Sequence, residues 1–112
     1  MPHCVIEYSE NLSEKLDIKK LMIGLNEVMS NSNLFDLDSI KIRALSYKDF
    51  LLSNKYASFI HITIKILQGR NQTQKTQLAN EIHKYFIEQI GDSSISLTTE
   101  IFEIEKESYQ KG

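Results

Sequence analysis

Between residues 59 and 67 the chain reads FIHITIKIL, with Ile60, Ile62, Ile64 and Ile66 at every second place and His61, Thr63 and Lys65 between them. A period of two sends alternate side chains to opposite faces, so this run is a strand with one wholly apolar face. Three further runs share the period. HCVIEY at 3–8 centres on the β-branched Val5 and Ile6, and SIKIRALSY at 39–47 alternates Ile40, Ile42 and Ala44 with Lys41, Arg43 and Leu45. The third is SISLTTEIFEIE at 94–105. Between the members of each pair the period becomes helical. NLSEKLDIKKLMIGLNEVMS, from 11 to 30, carries Ile18, Leu21, Met22, Leu25, Val28 and Met29 on one stripe. Asn11 stands three residues ahead of Glu14 as in a capping box, and Gly24 is a mild weakness mid-helix. TQLANEIHKYFIEQI, from 76 to 90, sets Leu78, Ala79, Ile82, Tyr85, Phe86 and Ile90 on a second stripe, with Gly91 placed as a C-cap. SNSN at 30–33 stops the first helix, and the polar ending KESYQKG is expected to be loose.

The order is therefore strand, helix, strand, twice over, in halves of about 2–47 and 58–106 within one domain spanning 1–112. The expected class is α+β: two consecutive β-α-β units forming a four-stranded sheet with two helices on one face. Helical crossovers of this length permit parallel pairing within each unit and are right-handed. Two helices cover only one side of the sheet. The other side, with Val5, Leu45, Phe59 and Thr63, is neither polar nor core, and a half-apolar face left over invites self-association into an oligomer.

Composition narrows the partners. In 112 residues, 41% apolar, 13 basic and 15 acidic side chains are interspersed for a net charge of -2, which leaves no basic stripe for nucleic acid. No window approaches the roughly 18 apolar residues that a bilayer demands, so no membrane partner is expected. A single cysteine, Cys4, offers no internal disulfide and no zinc-site spacing, as in a reducing, cytoplasmic setting.

Candidate chemistry is sparse. Gly69 and Arg70 stand where a strand hands over to a helix, a place that favours an anion; Arg70 is either a bidentate carboxylate clamp or a solvated charge. Lys41 and Arg43 share a strand face, which also suits an outward polar surface. His3 and His61 are candidate bases or strand histidines satisfied by neighbours, Cys4 is simplest as a small buried residue, and Glu7 either orients a site at the amino terminus or faces water. The only proline is Pro2. It is harmless at the front of a strand. If Met1 is removed, its nitrogen becomes a secondary amine and a base.

Two blocks decide the context. PHCVIEYSEN at 2–11 and FIHITIKILQGR at 59–70 resemble the two signatures of the 5-carboxymethyl-2-hydroxymuconate isomerase family, within the tautomerase superfamily, and EIFEIEKE at 100–107 is similar to that family's last strand. The resemblance implies a homotrimer whose sheets wrap a central axis and bury the leftover face. It implies Pro2 as the base that moves a proton in an unsaturated keto acid, Arg70 as one carboxylate clamp, a small-molecule carboxylate substrate, and no metal or organic cofactor. Where the family's strand reads like IRSR, this chain reads IKIR at 40–43: Arg43 remains, and Lys41 keeps the charge while losing the planar fork. Such chemistry needs a base together with positive charge, because the proton leaves only if the developing enolate is stabilised. Apolar surroundings and nearby cations both lower the pKa of the proline amine toward neutrality.

The leading expectation is a cofactor-free isomerase acting on a 5-carboxymethyl-2-hydroxymuconate-like di- or tricarboxylic acid. A tautomerase acting on a smaller 2-keto acid, favoured by Lys41, is a close alternative. A non-catalytic trimeric binding module of the same fold is a third, and a dimeric ferredoxin-like regulatory sheet a fourth. KDFLLSNKYAS at 48–58 is read either as a loop over the site or as a subunit contact.

Overall fold

The four-isoleucine run forms the longest stretch of the central pairing. In the computed structural model, which describes residues 1–53 and 55–112, strand β3 (Ser58–Leu67) buries Ile60, Ile62, Ile64 and Ile66 on one side. It pairs antiparallel with β1 (His3–Ser9) and parallel with β4 (Ile95–Ile104); β1 pairs parallel with β2 (Lys41–Tyr47). The sheet order is β2-β1-β3-β4, so each half forms the expected parallel pair and the halves join along β1 and β3. Helices α1 (Ile18–Asn31) and α2 (Gln72–Ile90) close one face. Leu21, Leu25 and Met29 of α1 and Leu78, Ile82 and Phe86 of α2 meet Cys4, Ile6 and the β3 isoleucines in one core. Burying each such side chain stabilises by roughly 1.5–3 kcal/mol.

Three readings of element ends change. Asn11 does not cap α1. Its amide donates to the Ala57 carbonyl (3.1 Å) and its Oδ1 accepts from the Ser58 hydroxyl (3.0 Å), while the buried Ser9 hydroxyl accepts from the Phe59 N–H (3.0 Å). The stretch after β1 thus straps down the entry to β3, with a short 3-10 turn over Glu10–Leu12 that buries Leu12. The helix begins later, where the Asp17 carboxylate accepts from the Lys20 N–H. Helix α2 begins earlier than its apolar stripe, because Asn71 and Gln74 form a reciprocal capping box there. Gly91 ends it in the left-handed conformation, φ 57°, as its position predicts. The carboxyl-terminal tail is held down: after a turn at Lys106–Ser108, the Tyr109 hydroxyl meets Nε2 of His3 at 3.0 Å.

Gly24 is a requirement rather than a weakness. A Cβ there would lie 1.8 Å from the hydroxyl of Tyr85, which crosses from α2 to donate to the Leu21 carbonyl.

The face away from the helices carries cross-strand rows: Lys41, His3, Lys65, Phe102; then Arg43, Val5, Thr63, Glu100; then Leu45, Glu7, His61, Thr98. His61 bonds Thr98 and Glu100, and Glu7 accepts from the Tyr47 hydroxyl. Leu45 and Phe102 are each 53% exposed on this face. No helix among the described residues is long and apolar enough to cross a membrane.

Candidate active site

The amino terminus lies at the β1 end that β2 flanks. Pro2 is buried, its carbonyl accepts from the Lys41 N–H (3.1 Å), and the Ser39 hydroxyl donates to the Met1 carbonyl (2.7 Å). Met1 opens into a cleft of about 330 Å³ bordered by Leu34, Phe35, Ser39, Arg70 and Tyr109, with Asp36, Leu67 and Lys111 completing its rim. A larger cleft of about 560 Å³, between α2 and β4, contains neither the terminus nor an arginine.

Arg70 reaches this cleft because β3 ends at Leu67 and Gly69, at φ 129°, turns the chain sharply before the Asn71 cap. Its guanidinium donates to the Leu34 carbonyl and lies over the Phe35 ring, 5.1 Å from the centroid. It is not a free surface charge. Two of its five donors at most are spent on one carbonyl, and the rest remain for an anion.

Lys41 adjoins the amino terminus. Burial first, then the charges of Lys41 and Lys111, and a hydrogen bond from Lys41, hold the terminal amine below its ordinary value. A neutral amine can accept that bond; an ammonium cannot. Arg43 does not border the cleft. It projects from the open face and donates to Nδ1 of His3 (3.1 Å), whose Nε2 in turn meets Tyr109. Burial, Arg43 and Lys41 keep the His3 imidazole below its usual range. Burial pushes the Cys4 thiol up to about 12, so it stays an inert core residue.

The structure thus brings Pro2, Arg70 and Lys41 to one end of the sheet and sets Arg43 one step behind, through His3. Sequence reasoning missed Ser39, Tyr109 and Lys111. Ser39 carries no signal beyond its polarity, and the other two lie in a tail whose composition reads as solvated. Among the described residues no group of three or more His, Cys, Asp or Glu side chains is arranged to hold a metal.

A mixed four-stranded sheet of order β2-β1-β3-β4 under two helices is the fold this chain shares with solved 5-carboxymethyl-2-hydroxymuconate isomerases. The family model of 5-carboxymethyl-2-hydroxymuconate isomerase matches residues 2–112, and the chain belongs to that family of isomerases. The 5-carboxymethyl-2-hydroxymuconate Delta-isomerase of Escherichia coli is 28% identical over 111 residues, covering 93% of this chain and 87% of the relative. A crystal structure of a 5-carboxymethyl-2-hydroxymuconate delta-isomerase superposes with a TM-score of 0.89 at 19% identity, over 100% of this chain and 87% of the other. A fused 4-OT solved as a symmetric trimer gives a TM-score of 0.78 at 13% identity, over 98% and 91% of the two chains.

Proposed function

We propose that the chain is a cofactor-free isomerase of the cytoplasm. It moves a proton within an unsaturated 2-hydroxy or 2-keto acid bearing two or three carboxylates, of the 5-carboxymethyl-2-hydroxymuconate type, with Pro2 as the base. One observation carries the reading: the chain's first residue, directly before Pro2, opens into the cleft that holds Arg70 and Lys111. Removal of Met1 turns the Pro2 nitrogen from an amide, which has no basicity, into a secondary amine. Lys41, whose N–H bonds the Pro2 carbonyl, and Lys111 on the cleft rim stand near the amine so freed, and cations there disfavour its ammonium form. That amine takes a proton from the substrate, from the C2 hydroxyl in a 2-hydroxy acid, and delivers it to a carbon of the conjugated chain. Arg70 holds a carboxylate, with its fork set by Phe35 and the Leu34 carbonyl. Lys41 adds charge beside the base, and Arg43 adds positive potential from the open face.

The catalytic unit in this reading is a homotrimer. The half-exposed Leu45 and Phe102 on an otherwise sheet-forming face support it, as does the trimeric 4-OT of the same fold. A smaller 2-keto acid is the second reading, favoured by Lys41, whose point charge orients a planar carboxylate less strictly than an arginine.

The experiment is an intact-mass measurement alongside ketonisation of 2-hydroxymuconate and phenylenolpyruvate by the wild type and Pro2→Ala. A mass short by one methionine, with turnover lost at least 100-fold in the variant, is the expected result, since the base contributes about 10²–10⁴-fold. A processed protein that is inactive on both acids would sink the reading.

A further inference from the structure

We propose that Tyr109 is a catalytic hydrogen-bond donor of this cleft, aligned by Arg43 through His3, and that its hydroxyl holds the oxygen on C2 of the bound acid as negative charge develops there. This deepens the proton-transfer reading and rests on it. The argument is one of donors and acceptors. A guanidinium has only N–H groups to offer, so the 3.1 Å contact of Arg43 makes Nδ1 of His3 an acceptor. The neutral ring then carries its proton on Nε2, and that N–H donates to the Tyr109 oxygen at 3.0 Å. With its oxygen already accepting, the Tyr109 hydroxyl has its own hydrogen left to give. Tyr109 borders the same cleft as Met1 and Arg70. The ring edge of His3 against Tyr109, 6.0 Å between centroids at 69°, fixes the direction of the phenol as well as its hydrogen bond.

The imidazole stays neutral because it is partly buried and the side chains around it are cations. Burial, Arg43, Lys41 and Lys65 all hold its pKa down, so the tautomer that aligns Tyr109 persists at neutral pH. The step itself balances with a single mobile proton. In the ketonisation it leaves the C2 hydroxyl for the Pro2 nitrogen and is delivered from there to a carbon of the dienol. The electron pair of the broken O–H bond stays on the C2 oxygen as the enolate, spreads through the conjugated system and forms the new C–H bond as the C2 carbonyl appears. Tyr109 keeps its proton throughout and contributes a hydrogen bond that strengthens as the oxygen becomes anionic. Arg43 and His3 are positioning residues in this scheme, acting through Tyr109.

The test compares steady-state kinetics of the processed wild type, Pro2→Ala, Tyr109→Phe, His3→Ala and His3→Gln on 2-hydroxymuconate. Removing one donor to a developing oxyanion lowers kcat by roughly 100-fold. Tyr109→Phe is therefore expected to show that loss in kcat with KM changed less than about threefold. His3→Ala is expected to lose part of the rate, and His3→Gln to recover it, because the glutamine amide can replace the Nε2–H donor. Tyr109→Phe with kcat near wild type, or with a raised KM alone, while Pro2→Ala is inactive, overturns the role of Tyr109 and leaves the proline base standing. Pro2→Ala with wild-type turnover overturns the underlying reading instead. Should Tyr109→Phe not accumulate as folded protein, equal kcat values for His3→Ala and His3→Gln overturn the alignment.

Discussion

Lys41 occupies the place where a change of one charge is read most directly. The Met1 amine lies below its ordinary value through burial first, then Lys41 and Lys111, and the Pro2 amine that processing frees stands one residue on, its carbonyl bonded by the Lys41 N–H. A base works only when neutral, so activity falls as pH drops through the amine pKa. Taking away a neighbouring cation raises that pKa and moves the acid limb toward higher pH. Lys41→Gln is expected to shift the acid limb of kcat/KM upward by several tenths of a pH unit or more, as measured by a pH–rate profile of the processed enzyme. An unmoved limb would separate Lys41 from the base. Arg70 shows a different use of positive charge: bonded to the Leu34 carbonyl and stacked on Phe35, it is directed by packing rather than by an ion pair.

At the scale of elements, the contact between α1 and α2 depends on the absence of one carbon. Alanine is a better helix former than glycine by about 1 kcal/mol, so propensity alone favours Gly24→Ala. The added Cβ would press on the Tyr85 hydroxyl and ring, and Tyr85 would leave the Leu21 carbonyl. Overpacking of this kind costs about 1–3 kcal/mol and the lost hydrogen bond about 1 more. Gly24→Ala is expected to lower stability by about 1–3 kcal/mol in urea titration despite the helix gain. The elements themselves were legible: β3 because isoleucine recurs at every second position, α2 because Leu78, Ile82 and Phe86 recur at helical spacing. What was not legible depended on partners far along the chain. Asn11 carries the pattern of a helix cap, yet Ala57 and Ser58 claim its side chain across the sheet. Tyr109 looks solvated in the sequence, and only the folded sheet brings His3 to it. Of the expected site residues, the structure sets Pro2, Lys41 and Arg70 at one end of the sheet, while Arg43 stands on its predicted strand but bonds His3, a contact that the sequence does not show.

Among the described residues, helices cover the sheet on one side only. The proposed trimer, wrapping its sheets around an axis, would cover the half-exposed Leu45 and Phe102 and draw apolar area for assembly from them. Placing a carboxylate there opposes it. Leu45→Asp is expected to shift the sedimentation profile from trimer to smaller species while leaving the helical circular dichroism in place; an unchanged trimer would move the interface elsewhere.

The repeat of strand, helix, strand has a chemical consequence. Its second copy starts about 54 residues after the first, from Ile18 to Gln72 and from Lys41 to Ile95, and the antiparallel join of β1 and β3 turns that copy end for end. The cleft at Met1 and Ser39 therefore has a counterpart at the opposite end, lined by Tyr56, Asp92, Ser93 and Ile95. There the backbone runs on through a peptide bond where the first cleft holds Met1. A polypeptide has one beginning, so a molecule that draws its base from the main-chain nitrogen can equip only one of two near-equivalent hollows. Symmetry of shape is broken by the direction of the chain, and the far hollow is released from the chemistry that constrains its twin.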